Sequence, residues 1–265
     1  MSNLLEKAIT ELLRMNFFIP LYQRGYRWTE RRVEDLLEDI NAFAPVGIEK
    51  SESKTWYCMH PIVVKECDEE TKTKNDLQGT WYEVIDGQQG LIIIFLIIHY
   101  ANERWIGKQK ITEFQIKYET GDESYDFLKN QKIEVQEDAK LINVRNIDFH
   151  YITKAYNQIH SWVNEYKNKF NTEFDINNFL TKFHLHSKVI WYQVDSEKDA
   201  IEIYSSIYMD KIPLTNPELI KALFLNSSNF NSLENENERL RQSEIADWDR
   251  FKYSLQGKEF WYFLN

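Results

Sequence analysis

Residues 81–91, Trp81-Tyr82-Glu83-Val84-Ile85-Asp86-Gly87-Gln88-Gln89-Gly90-Leu91, run from a β-rich stretch through an Asp-Gly break into two side-chain amides and a long apolar segment. Gln88 to Glu103 is apolar on nearly every face, so the pattern predicts a strand that turns sharply into a central helix. Asp-Gly permits a tight turn, and the unpaired N–H groups of the helix terminus behind it can face an anion. Gln88 and Gln89 add donors and acceptors at that corner. The same residues also suit an ordinary turn with two solvated glutamines, in which Asp86 bonds its own backbone.

Outward from this corner, Trp56 to Val64 is expected to pair with Trp81 to Ile85, with the polar segment Asp68 to Gly79 as a mobile hairpin loop between them. Phe17-Phe18-Ile19 reads as a strand stopped by Pro20, and Thr29 as the cap of a helix burying Val33, Leu36, Leu37 and Ile40. Met1 to Arg14 reads as an amphipathic helix capped by Ser2, with Leu4, Leu5, Ala8, Ile9, Leu12 and Leu13 at helical spacing. Phe114 to Tyr118 is a further strand. From Asn146 onward the pattern is helical except for Lys188 to Val194, a buried strand. Thr215-x-x-Glu218 is a capping box, and Asn226 to Glu238 a solvated loop. The class is α+β.

Composition narrows the function. With 43% hydrophobic residues, 8 Trp, 15 Tyr and 16 Phe in 265 residues, the chain can build a packed core. Its 32 basic against 42 acidic residues, a net charge of −10, argue against a uniformly nucleic-acid-binding surface and confine any DNA contact to a local patch. Cys58 and Cys67 form neither a disulfide framework nor a zinc site and read as reduced thiols in a cytoplasm. The residues 1–14 carry no signal-peptide pattern, and the longest apolar run, Leu91 to Ile98, is too short to span a bilayer. The six histidines are not metal-spaced, His184-x-His186 being the one close pair, and no Ser-His-Asp or Cys-His arrangement is legible.

Four blocks carry a resemblance: Pro20-Leu21-Tyr22-Gln23-Arg24-Gly25-Tyr26-Arg27-Trp28, then Asp86-Gly87-Gln88-Gln89, then Lys211 to Leu225, beginning Lys-Ile-Pro-Leu-Thr, and last Trp248-Asp249 with Phe260 to Leu264. In this order they resemble the ParB/sulfiredoxin-like domain that begins GmrSD type IV restriction enzymes and SspE-like phage-defence proteins. The resemblance implies a ParB/sulfiredoxin-like core, residues 1–120, with a mainly helical C-terminal extension, residues 121–265, that can belong to the same domain. It further implies a nucleotide-sensing or NTPase module of a modification-dependent DNA restriction or phage-defence system. An NTP with a divalent cation such as Mg²⁺ is the expected cofactor, and modified DNA and an HNH nuclease domain or subunit are the expected partners. By the same resemblance Asp86 and Arg24 are the catalytic candidates, and Tyr22, Gln23, Arg24, Gly87, Gln88, Gln89, Lys211 and Lys221 bind the nucleotide.

Each of these residues has a plainer reading. Arg24 suits bidentate phosphate contact, or a salt bridge with Asp39 or Asp86. Arg27 is expected at the surface. Tyr22, Tyr26 and Trp28 can stack a base or fill the core. Lys211 and Lys221 can be solvated charges flanking a helix.

The departures from the family pattern point to a second function. Gly90 stands where relatives carry the Arg that closes Asp-Gly-Gln-Gln-Arg, His60 where they usually carry Gly, and Tyr208 and Asp210 where they carry Asn and Gly. Losing a fixed phosphate-contacting cation costs orders of magnitude in phosphoryl transfer, which depends on electrostatic positioning. The alternative is therefore a degenerate module that binds nucleotide, DNA or protein without turnover. Relatives continue into helices and often an HNH nuclease domain after the position of Leu264, and no HNH-type metal motif is legible in these 265 residues.

Overall fold

The structure is a computed structural model and describes residues 3–47, 55–106, 110–119, 123–130 and 147–195. It divides into two compact units, Met1–Ile19 with Gly25–Ser196, and Pro20–Arg24 with Glu197–Asn265. In the first unit six strands form one mixed sheet: β1 (Asn3–Ala8), β2 (Asn16–Ile19), β3 (Tyr57–Glu66), β4 (Tyr82–Asp86), β5 (Gln115–Tyr118) and β6 (Ser187–Val194), in the order β1-β6-β3-β4-β2-β5. The helices are α1 (Ile9–Leu12), α2 (Glu30–Ala42), α3 (Glu69–Lys74), α4 (Gln88–Arg104), α5 (Glu123–Lys129), α6 (Ile147–Phe170) and α7 (Ile176–Thr181), the last running into a π-helical turn at Lys182–His186. The fold is α+β.

Helix α4 is the centre of the core. From Leu91 to Ala101 its side chains are all buried, the pattern of a helix enclosed on every side. It lies against β3 and α6, and α6 also covers α2, whose buried face is Val33, Leu36, Leu37 and Ile40. Thr29 is the α2 cap residue, although its side chain makes no capping hydrogen bond. Three acidic residues of α2 face lysines of α6: Lys169 bridges Glu34 and Glu38 at 2.5 Å each, and Lys154 reaches Glu30 at 3.3 Å.

Two local expectations are corrected. Residues 3–8 form an edge strand where a helix was expected, because β6 offers an unpaired edge that β1 takes up antiparallel, Leu5 opposite Trp191. Only Ile9–Leu12 is helical, with the Ala8 N–H donating to Glu11 Oε2 at 2.7 Å. The segment Asp68–Gly79 is ordered structure where a hairpin loop was expected. Asp68 accepts the Thr71 N–H at 2.8 Å and starts α3, and Leu77 then joins Phe18, Cys67 and Trp81 in a small cluster apart from the main core.

Strand β6 lies between β1 and β3, so the sheet draws strands from both sides of residue 120. The Thr215 capping box and the Asn226 to Glu238 loop lie outside the described residues. Among the described residues no helix is long and apolar enough to cross a membrane.

Candidate functional site

Strands β4, β2 and β5 run parallel, so their carboxyl ends meet at one rim of the sheet. Ligands of α/β sheets bind outside such ends. Both register irregularities of β3 lie near this rim. One falls between Cys58 and Pro61, where β3 passes β6, and the other between Val63 and Val64, where β4 bulges at Ile85. Pro61 cannot donate to a ladder, and a bulge is where a strand tolerates it. His60 lies within the first irregularity, and Asp86, in register with Val63, follows the second beside the start of α4.

Gly87 makes the corner possible. Its φ of +95° belongs to the left-handed region, and a Cβ there would stand 2.7 Å from the Pro61 carbonyl oxygen. Asp86 Oδ1 accepts the Gly87 N–H at 2.8 Å, which is the turn-forming arrangement. The first turn of α4 then presents Gln88, Gln89 and Gly90 to three different neighbours.

Gln89 reaches the segment that follows β2. Its Oε1 accepts the Arg27 N–H at 2.8 Å and its Nε2 donates to the Gly25 carbonyl at 3.0 Å, so one amide satisfies two backbone groups of the Gly25–Trp28 segment. Gln88 is 4% exposed and lies near the Tyr118 phenol at the end of β5, while its Oε1 has no partner. Burial first, and then the Asp148 carboxylate, hold the Tyr118 phenol above its ordinary range.

Asp148, in the first turn of α6, closes this side of the site. It pairs with Arg27 Nη1 and packs against Gly25, where an added Cβ would fall inside its carboxylate. Arg27 also donates to the Tyr26 carbonyl at 2.7 Å and lies over the Tyr151 ring at 5.5 Å. Arg27 is therefore half-buried and paired on three sides, not a surface charge as expected.

On the other side, the His60 ring stands edge-on to the Trp28 indole, with centroids 4.9 Å apart, and covers Gly90. A Cβ at position 90 would overlap the ring at Cδ2 and stand 3.2 Å from Cγ. His60 Nε2 is buried without a partner, and burial lowers the imidazole pKa against the opposing pull of Asp86. Tyr26 lies in the core with its hydroxyl unpartnered. Three of the six buried side-chain atoms lacking a partner among the described residues, on Tyr26, His60 and Gln88, thus belong to the segments that build this rim.

The sequence profile of the GmrSD restriction endonuclease N-terminal domain matches residues 1–225. The chain belongs to that family. No curated protein matches the chain.

Within this GmrSD N-terminal domain, the described site brings together Asp86, Gly87, Gln88 and Gln89 with Gly25, Arg27 and Trp28. Tyr22, Gln23 and Arg24 fall in the second unit, as a turn closed by the Gln23 N–H donating to the Pro20 carbonyl at 3.2 Å; Tyr22 and Gln23 are buried and Arg24 is half-buried. Lys211, Lys221, Tyr208 and Asp210 lie outside the described residues. Sequence reading missed Asp148, Tyr118 and Tyr151, and treated His60 only as a departure. None has a local signal, since each joins the site from a distant element. No group of three or more His, Cys, Asp or Glu that could hold a metal is present among the described residues, His184 and His186 included. At the opposite, amino-terminal ends of β2 and β4, an open cleft of about 750 Å³ is lined by Thr10, Glu11, Arg14, Met15, Asn16, Thr80 and Tyr82. It shares no residue with the rim.

Proposed function

We propose that this chain is the nucleotide-sensing module of a modification-dependent DNA restriction or phage-defence system, built on a ParB/sulfiredoxin-like core, and that it binds a nucleoside triphosphate at the start of α4. The observation that carries the reading is the unpartnered oxygen of Gln88, 4% exposed, at the amino terminus of a buried 17-residue helix. A native fold rarely leaves such an atom unpaired unless a ligand or water completes it, and a helix amino terminus favours an anion.

The fixed charges at the rim argue for a metal-complexed nucleotide. Asp86 and Asp148 supply two carboxylates and Arg27 one guanidinium, which Asp148 already engages. A bare polyphosphate meets net repulsion there, whereas Mg²⁺ held chiefly by the phosphates needs only one carboxylate from the protein. Asp86 is the residue proposed for that contact, and by the family resemblance Arg24, Lys211 and Lys221 are the cations proposed for the phosphates. Gln89 positions the Gly25–Trp28 segment. Modified DNA and an HNH nuclease domain or subunit are the partners this role requires.

Titration calorimetry with GTP, UTP and ATP in Mg²⁺, with phosphate release measured in parallel, tests this reading. Binding of at least one nucleotide, weakened at least about tenfold by Gln88→Ala, is expected; one buried hydrogen-bonding group is worth about that much. Absence of binding for all three would sink it.

One observation favours a second reading, a binding module without turnover. The first turn of α4 carries Gly90 covered by His60, so no side-chain cation reaches a phosphate from that position. Nucleotide binding without phosphate release distinguishes this reading from the first.

A further inference from the structure

Strand β1 ends the sheet on one side. β6 pairs its inner edge along the whole of Asn3–Ala8, and among the described residues no strand pairs its outer edge. Proteins usually blunt such a row of backbone donors and acceptors with proline, a bulge or a charge. β1 holds neither proline nor glycine, and its register with β6 runs without a shift. Its charges are engaged inside the chain: Lys7 lies over the Trp191 ring, 5.3 Å from the centroid, and Glu6 pairs with Lys188 of β6 at 3.2 Å. Solvent instead meets two leucines, Leu4 at 67% and Leu5 at 43% exposure. Consecutive strand residues point to opposite faces, so a helix laid on one face would cover only one of them. A strand that continues the sheet packs beside both.

We propose that this strand is a second copy of the same chain: the two β1 strands pair antiparallel about a two-fold axis through Leu5 and join the two sheets into one. The pairing is independent of nucleotide binding at α4.

Charge selects the register. A two-fold axis perpendicular to the sheet keeps every residue on its own face, and directly opposed residues share a face, so the axis passes through a residue and not between two. An axis through Glu6 or Lys7 sets that residue against its own copy, and like charges directly opposite destabilise a strand pair. An axis through Leu4 engages only Asn3–Leu5 of β1. The axis through Leu5 engages Asn3 to Lys7 of each copy and opposes Leu5 to the partner's Leu5, Leu4 to the partner's Glu6 and Asn3 to the partner's Lys7. No like charges are opposed, and the two Glu6 carboxylates, diagonal neighbours across the axis, are each compensated by Lys188. A strand pair of this length falls below the interface area of stable dimers, so the dimer is weak, half formed on the order of 10–100 µM.

Sedimentation equilibrium of the full chain across that concentration range tests the pairing, with hydrogen exchange of the β1 amides measured at both ends of it. A monomer–dimer equilibrium is expected, with exchange at residues 3–7 slowing as the dimer forms. Three substitutions at these exposed positions read the register. Leu5→Lys sets like charges against each other at the axis, and Leu4→Glu sets a carboxylate against the partner's Glu6; each should weaken association at least about tenfold. Leu4→Lys instead faces the partner's Glu6 with the opposite charge and should keep the dimer. Circular dichroism and urea midpoints check that each variant is folded. A wild-type chain that stays monomeric throughout overturns the proposal. So does a dimer that survives Leu5→Lys, since it must lie elsewhere, and so does equal loss in Leu4→Lys and Leu4→Glu, which would mark unspecific apolar association. If the variants do not fold, the wild-type chain decides: a dimer that leaves exchange at residues 3–7 unchanged overturns the pairing.

Discussion

Gln89 Oε1 accepts the Arg27 backbone N–H at 2.8 Å, across 62 positions of chain. With the second bond from Nε2 to the Gly25 carbonyl, this amide is the described link between the Tyr26-Arg27-Trp28 segment and the Asp-Gly-Gln-Gln corner. The link is specific because only an amide supplies one acceptor and one donor at that spacing. A carboxylate at position 89 would accept from Arg27 but meet the Gly25 carbonyl with a like partial charge.

Gln89→Ala should therefore lower stability by about 1–3 kcal/mol, the cost of leaving half-buried backbone groups unpaired. Gln89→Glu should restore less than half of that loss at neutral pH. Urea denaturation of the three proteins measures both. An unaltered midpoint for Gln89→Ala would show that water replaces the amide without penalty.

Gly90→Arg tests the departure at the first turn of α4. Sequence reasoning alone expects a gain in nucleotide affinity from the added guanidinium. The packing reverses that expectation, because a Cβ at position 90 overlaps the His60 ring. The single substitution should cost about 1–3 kcal/mol of stability, as overpacking usually does, and leave affinity no better than wild type. Gly90→Arg with His60→Gly should recover at least half of the stability lost. A double-mutant cycle with no coupling between positions 60 and 90 would refute the shared space.

Asp148→Asn and Arg27→Ala should each destabilise by about 1–3 kcal/mol, since both side chains are less than one-third exposed and each leaves its partner's charge uncompensated. Their effects should not add. A sum of the two single effects in the double variant would show that the pair is energetically idle.

The pH dependence of stability should carry the signature of His184. Burial lowers its pKa from 6.5 to about 4, in agreement with a buried Nε2 that has no partner. The unfolded chain binds a proton between these values that the folded chain does not. This contribution is complete above the unfolded value, falls as pH drops through the window, and is lost below about 4. The full change is on the order of 3 kcal/mol. His184→Gln should flatten this part of the profile, read as urea midpoints from mildly alkaline to mildly acidic pH. An equal slope in both proteins would assign the dependence to other groups.

The isolated chain should leave plasmid, glucosylated and phosphorothioated DNA uncut in Mg²⁺ or Mn²⁺. No nuclease-type histidine pattern is legible in its sequence. Agarose electrophoresis after prolonged incubation measures this. Cleavage abolished by a single substitution in this chain would contradict it.

Much of the fold was legible because it follows from short-range pattern. Gln88 to Glu103 is apolar on nearly every face, and a helix of that kind has nowhere to lie but inside the core. The Asp-Gly at 86–87 permits a tight turn, and Gly87 makes it in the left-handed conformation. The strand segments read at Trp56 to Val64, Trp81 to Ile85 and Phe114 to Tyr118, and the stripe of Val33, Leu36, Leu37 and Ile40 on α2, are local patterns too.

What sequence alone could not decide depends on which distant elements meet. Residues 3–8 have helical spacing, but an open edge on β6 offers a ladder of backbone hydrogen bonds, and tertiary pairing outweighs a weak local preference. Arg27 looked exposed because its partner Asp148 is 121 positions away, on the first turn of α6. Gly90 and His60 looked like two separate losses, and only their contact makes them one arrangement, in which an imidazole fills the space a side chain at position 90 would need. Backbone preference is written residue by residue, so turns and helices can be read along the chain. Charge pairing and shared volume belong to pairs of residues, and the folded chain chooses the pairs.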